Sequence, residues 1–252
     1  MGTASLPAIQ VENLSLCYRV PQEKVSSIKE YAIRRLKRQL AVTDFWALRE
    51  ISLEIMPGEV FGIIGRNGAG KTTLLKVIAR VLRPSEGRVV VRGLVAPLLG
   101  LGAGFNQELS GRENVYLVGA TLGFSTAEMA QRFDRIIDFA GLADFVDASL
   151  RTYSTGMRAR LGFAIATDVR PDVLLLDEIM AVGDTEFKAK CRERIKDFRA
   201  AGATVVLVSH NLDQVQNLCT RAALIRSGRA EFVGQVDEAI ERYQRAASGS
   251  PA

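Results

Sequence analysis

Apolar and polar residues alternate through 8–18 (AIQVENLSLCY) and again through 45–56 (FWALREISLEIM). That period predicts two half-buried strands, the first closed by Pro21. Between them the period changes. Over 24–40, at about 100° per residue, Val25, Ile28, Ala32, Ile33, Leu36 and Leu40 fall on one side. Arg34, Arg35, Lys37 and Arg38 fall on the other and Lys29 breaks the pattern, which predicts a cationic amphipathic helix. Further on, Val60–Ile64, 173–177 and 204–209 are apolar without alternation. Such runs predict strands buried on both faces, as in the middle of a parallel sheet. Helical patterns cover 72–81, 105–168 (with breaks near Gly111, Gly123 and Gly141) and 185–200. Short strands are expected over 88–92, 222–225 and 230–232, and a last helix begins near Gln235. A β-rich start, a parallel core and a helical insertion make an α/β protein with subdomains.

Composition narrows the function. No apolar run approaches the roughly 20 residues that span a bilayer, and the first ten residues lack the basic start and apolar stretch of a signal peptide. The expected location is therefore the cytosol, or a membrane approached from its cytosolic side. Cys17, Cys191 and Cys219 are scattered without metal-ligand spacing and read as reduced, mostly buried thiols. The formal charge is +5, and between Lys24 and Leu40 six basic residues face one acid. The rest of the chain is neutral, so the basic character is one local patch and no nucleic-acid partner is expected.

The sharpest chemistry lies at Gly65-Arg66-Asn67-Gly68-Ala69-Gly70-Lys71-Thr72, which fits G-x-x-x-x-G-K-[ST] between an apolar strand and a helix. Gly65, Asn67, Gly68, Ala69 and Gly70 would present backbone N–H groups to phosphate oxygens, helped by the positive end of the helix. Lys71 would reach the β- and γ-phosphates, the Thr72 hydroxyl would ligate Mg²⁺, and Thr73 offers a further donor. ATP and Mg²⁺ are thus the expected ligands. At 173–178 an apolar strand ends in Asp177, which would support Mg²⁺, and Glu178, the candidate general base. His210 is the only histidine. It follows the apolar run 204–209, where a parallel sheet places its ligand crevice, and suits contact with the γ-phosphate or the attacking water.

Tyr153-Ser154-Thr155-Gly156-Met157, between the phosphate loop and the acidic strand, resembles a divergent LSGGQ signature of the ABC ATPase family. Its serine and second glycine are kept. The resemblance runs from about Ile9 to Gln244. It implies an ABC-type P-loop ATPase: a RecA-like parallel-sheet core, an antiparallel β subdomain and a helical subdomain at about 105–168. The nucleotide-binding domain would occupy 1–248, with the inserted helix at 24–40 and a tail at 249–252. By the same resemblance Tyr18 stacks on adenine; Trp46 could lie near the base too, but core packing is the favoured reading for it. His210 matches the switch histidine, and Asp184, in the altered sequence Ala181-Val182-Gly183-Asp184, belongs to the dimer-contact loop. Ser154, Thr155 and Gly156 would act in trans, on ATP bound to the partner of a head-to-tail homodimer. The family also carries a glutamine, a further Mg²⁺ ligand, at the junction of core and helical subdomain. Gln107 is the one glutamine in 98–109, but the glycine-rich run before it departs from the pattern and leaves its register open.

Three phrases, Leu-Gly-Ala-Gly-Phe at 101–105, Glu-Leu-Ser-Gly-Arg-Glu-Asn at 108–114 and Ala-Val-Gly-Asp at 181–184, resemble the polysaccharide and polyol-phosphate exporters of that family. The resemblance implies a peripheral subunit on the cytoplasmic face of the inner membrane, bound to an integral membrane permease dimer. It is expected to lack the C-terminal carbohydrate-binding domain that some members carry. Lys29, Arg34, Arg35, Lys37 and Arg38 would meet the membrane surface and an anionic lipid-linked glycan. A subunit for another exported cargo (drug or lipid), a soluble ABC ATPase and a P-loop kinase are the competing readings.

Overall fold

A computed structural model describes residues 6–21, 42–100, 102, 104–177 and 184–247. The amphipathic segment at 24–40, with Lys29, Arg34, Arg35, Lys37 and Arg38, lies outside the described residues, and so does Glu178.

Strands β1 (Ile9–Pro21), β2 (Val42–Ile55) and β4 (Glu86–Val91) form an antiparallel sheet in the order β2-β1-β4. The second sheet has the order β5-β6-β7-β3-β8-β9. Its strands are β3 (Val60–Ile64), β5 (Val95–Leu98), β6 (Val173–Asp177), β7 (Thr204–Val208), β8 (Arg221–Arg226) and β9 (Arg229–Gln235). All its pairings are parallel except β8 with β9.

The unbroken apolar runs are explained by what covers them. Ile63, Leu175, Val206 and Val208 join one core with β1, β2 and helix α1 (Lys71–Ile78). The alternate residues Ile64, Leu174, Leu176, Val205 and Leu207 join a second core. That core also takes Phe187, Cys191, Ile195 and Phe198 of α5 (Thr185–Ala200), Val215 of α6 (Leu212–Leu218) and Ala239 and Ile240 of α7 (Val236–Ala247). With both faces covered, every second residue is apolar for one core and its neighbour for the other.

Between β5 and β6 the chain leaves the sheet and forms α2 (Gly111–Thr121), α3 (Thr126–Ala140) and α4 (Thr155–Ala166), which enclose a third core around Val115, Phe133, Ile137 and Leu161. Gly111 does not break a helix, as its position in the pattern suggests. It is the first residue of α2, after a reciprocal Ser110–Glu113 capping box. Strand β5 escapes the sequence pattern because Pro97 interrupts it; the strand lies at the sheet edge, pairing with β6 alone, where proline is tolerated.

One ion cluster ties the helical lobe together. Asp168, its side chain 7% exposed, accepts hydrogen bonds from Arg132 (2.9 Å) and Arg135 (2.8 Å) of α3. Burial pushes the Asp168 carboxyl up, but those bonds outweigh it and hold it below the usual carboxylate value. Asp168→Ala is expected to lower the unfolding free energy by about 2 kcal/mol; the released Arg135, half-exposed, can turn to water. With the folded pKa depressed, this contribution is present above about pH 4, the unfolded value, and lost as the pH falls through the folded one. Urea unfolding of the two proteins should therefore diverge at neutral pH and converge in acid.

Candidate nucleotide site

The phosphate loop follows directly from its flanks. Strand β3 ends buried at Ile64, and α1 begins at Lys71 after Gly70 in a left-handed conformation (φ 106°). A Cβ at Gly70 would stand 2.9 Å from the Ala47 carbonyl oxygen and 2.9 Å from Leu48 Cδ2, so strand β2 presses against the loop there. Lys71 is buried, and its amine donates to the carbonyls of Gly65 (2.9 Å) and Arg66 (3.2 Å). Two of its three donors thereby brace the loop and one remains for an anion. Asn67, Gly68, Ala69, Gly70, Lys71, Thr72 and Thr73 line a cavity of about 580 Å³ together with Tyr18, Phe45, Ala47, Gly100 and Asp177. That volume suits a nucleotide-sized ligand.

Strand order explains why distant residues converge here. β7 lies between β3 and β6, all parallel, so the phosphate loop after β3, Asp177 at the end of β6 and His210 after β7 emerge at one edge of the sheet. The turn carrying His210 is held locally. Ser209, buried, donates to Gln214 Oε1 (3.0 Å) and accepts from the Asn211 N–H (3.1 Å), and the Asn211 side chain caps α6. His210 itself is exposed and is not part of the cavity lining.

Among the described residues no three His, Cys, Asp or Glu side chains gather as a metal site. A divalent cation would instead find the Thr72 hydroxyl and Asp177 carboxylate on one cavity, its remaining ligands being phosphate and water oxygens. That hard, incomplete oxygen set fits Mg²⁺. Cys191 and Cys219 offer no competing chemistry: burial pushes their thiols up to about 12.

The remaining sequence candidates lie away from this cavity. Ser154 caps α4, its hydroxyl accepting from the Met157 N–H (3.1 Å); Ser154 and Thr155 are exposed. Nothing among the described residues demands glycine at 156, since a Cβ there would meet only Ser154 Oγ at 3.7 Å. The preceding Tyr153 is buried and donates its hydroxyl to the Phe145 carbonyl (2.7 Å), while Arg158 donates to the Tyr153 carbonyl (2.8 Å). Asp184 caps α5 by accepting from the Phe187 N–H (2.9 Å) and forms an ion pair with Arg160 of α4. The Phe187 N–H hydrogen bond, aided by Arg160, holds its carboxyl below the usual range. Gln107 is exposed and absent from the cavity lining; its backbone carbonyl accepts from Ser149 Oγ (2.8 Å) and the Arg151 N–H (3.1 Å).

Two aromatic residues are reassigned by the register. Trp46, expected in the core, is half-buried beside Cys17 and belongs to none of the three cores. Its neighbour Phe45, which nothing in the sequence pattern singled out, faces the cavity instead.

The chain is similar to known proteins along most of its length. A family model described as ABC transporter matches residues 48–181. An O-antigen export system ATP-binding protein of Klebsiella pneumoniae is 40% identical over 242 residues, covering 95% of this chain and 98% of that protein. A teichoic acids export ATP-binding protein of Lactiplantibacillus plantarum is 42% identical over 204 residues, covering 81% of this chain and 56% of that protein. Among solved structures, a dimeric ATP-binding cassette in a post-hydrolysis state with ADP and Pi superposes with a TM-score of 0.69 at 21% identity, over 90% of this chain and 98% of that one.

Proposed function

This chain belongs to the ABC transporter family, and from that premise we propose that it powers export of a lipid-linked polysaccharide or cell-wall glycan across the cytoplasmic membrane. It is an ATP-binding, ATP-hydrolysing chain. The observation that carries the cargo reading is the match to the O-antigen exporter subunit along nearly the full length of both chains.

The residues divide the work as follows. Backbone N–H groups of the loop from Gly65 to Gly70, with the Lys71 amine, hold and orient the phosphates at the start of α1. Thr72 and Asp177 would hold Mg²⁺, which when bound neutralises phosphate charge, and Gln107 is retained as a candidate third ligand. Glu178, directly after Asp177, accepts the proton of the attacking water, and His210 at the same sheet edge steadies that water or the γ-phosphate. Ser154, Thr155 and Gly156 would complete the site from the partner protomer of a head-to-tail homodimer, with Asp184 near the contact. The exposure of Ser154 and Thr155, and a glycine that no contact among the described residues requires, support this. Tyr18 stacks on the base.

Such a homodimer would sit peripherally on the cytoplasmic face, against a membrane permease dimer. No described helix is long and apolar enough to cross a membrane. The cationic segment with Lys29, Arg34, Arg35, Lys37 and Arg38 would face anionic head groups of the lipid-linked cargo.

The test is export-coupled ATP hydrolysis by the chain coexpressed with its permease. Glu178→Gln is expected to bind ATP but stall. Charge reversal at Arg34, Arg35, Lys37 and Arg38 is expected to leave basal hydrolysis intact and reduce glycan export. Unimpaired turnover in the first variant would remove Glu178 as base; unimpaired export in the second would remove the cargo role of the basic segment.

A further inference from the structure

Phe45 is 59% exposed, a solvent-facing ring with no polar edge to hydrate. Its place in the hairpin is well defined. It pairs with Tyr18 in the antiparallel register of β1 and β2. Opposite residues in such a pair project to the same face with Cβ atoms about 5 Å apart, and both rings line the cavity beside the phosphate loop.

Ala47, two residues along β2, lines the same cavity, and its carbonyl packs where a Cβ of Gly70 would go. Two strand residues span about 7 Å. Phe45 therefore stands one short step from the beginning of α1, on the track a nucleoside follows when its phosphates occupy the loop. Trp46, half-buried, alternates to the other face and is excluded from this role.

The chemistry of this part of the lining is restricted. Tyr18, Phe45 and Ala47 contribute two π-systems and a methyl group, with the tyrosine hydroxyl as the single polar side-chain group among the three. Such a surface recognises the face of an aromatic ring far better than the donor and acceptor pattern along its edge.

We infer that Phe45 is a second base-binding residue, forming with Tyr18 a two-ring platform that takes a nucleobase by stacking and tolerates its identity. This rests on the nucleotide site proposed above. It makes the β1–β2 hairpin a binding element, where the family resemblance assigns stacking to Tyr18 alone. Because the two rings stand side by side in register, they extend one stacking surface and do not sandwich the base.

The experiment measures equilibrium binding of ATP, GTP and inorganic tripolyphosphate to wild type, Phe45→Ala and Phe45→Trp. Loss of the ring is expected to weaken ATP and GTP alike by about ten-fold, with tripolyphosphate binding unchanged, and Phe45→Trp is expected to restore both nucleotides. Unchanged ATP affinity in Phe45→Ala would overturn the inference. So would an equal loss for tripolyphosphate, which would make Phe45 a support of the hairpin and not a base contact. A loss confined to one nucleotide would overturn the claim of base tolerance. A wild-type chain that binds none of the three would instead sink the nucleotide site, an outcome distinguishable from any failure of Phe45.

Discussion

Lys71→Ala is expected to cut ATP turnover by about 10²–10³-fold or more while leaving the fold nearly intact. The contrast follows from what the amine touches. It is buried and donates to the carbonyls of Gly65 and Arg66, so its direct structural contribution is two hydrogen bonds. Arg66 is exposed, and water can replace that bond, limiting the stability loss to about 1 kcal/mol. The remaining N–H and the positive charge have no substitute where phosphate charge builds up. Lys71→Arg should fail nearly as badly, because a planar guanidinium cannot occupy a pocket shaped for a compact ammonium. Phosphate release alongside a thermal unfolding scan checks both halves. A parallel fall in activity and stability would mean that Lys71 serves the loop and not the phosphates.

The second large effect is expected at Gly111, far from the phosphate loop in sequence and on the helical lobe. A Cβ at that position would lie 2.3 Å from the Tyr153 hydroxyl and 2.9 Å from the Val146 carbonyl oxygen. The tyrosine cannot step aside cheaply, since it is buried and its hydroxyl is bonded to the Phe145 carbonyl. Gly111→Ala should therefore displace Tyr153 and, with it, the adjoining Ser154–Met157 cap of α4. The expected cost is about 2 kcal/mol, or roughly 4–8 °C in Tm. ATP binding by a single chain should survive, because nothing in the phosphate-loop cavity is touched. Turnover should fall by about ten-fold or more if residues 154–156 complete the site of a partner. Adding Tyr153→Phe removes the closest contact and should recover part of both losses. A Gly111→Ala protein that hydrolyses ATP like wild type would show that placement of the signature segment does not limit the reaction.

That steric relation also joins two phrases read separately in the sequence, the Ser110-Gly111-Arg112 run and Tyr153-Ser154-Thr155-Gly156-Met157. Backbone bonds reinforce it: Leu150 donates to Leu109 (2.9 Å), Gly111 to Ala148 (3.1 Å) and Arg112 to Val146 (2.8 Å). The segment after the glycine-rich loop and the segment before the signature are thus stitched into one unit.

Much of the protein is legible in the sequence because the relevant physics is local. The phosphate loop is contiguous: an apolar strand, glycines that permit left-handed turns, and a lysine opening a helix state their geometry within a dozen residues. The buried strands at 60–64, 173–177 and 204–208 announce themselves by apolarity on both faces. Helix α5 matches its expected bounds of 185–200 because its mixed periodicity and the Asp184 cap are both encoded nearby.

What local pattern could not contain was decided by pairing between segments remote in the chain. Strand β5 became visible only as an edge partner of β6, some 75 residues later, since Pro97 disqualifies it anywhere else. Asp177 joins the phosphate-loop cavity, and His210 emerges at the same sheet edge, because β7 threads between β3 and β6, an order no periodicity encodes. Phe45 and Trp46 are adjacent aromatics of similar sequence context, and only the register against β1 turned Phe45 toward the cavity and Trp46 away from it. Asp184, read as part of a dimer contact, is also an N-cap bound to Arg160 of α4, a link made by folding the helical lobe against α5. Periodicity says whether a residue is buried or exposed; which residue it meets there is set by the tertiary packing, because one sheet face or helix stripe can satisfy its hydrophobic demand against many partners, and backbone register and steric fit select among them.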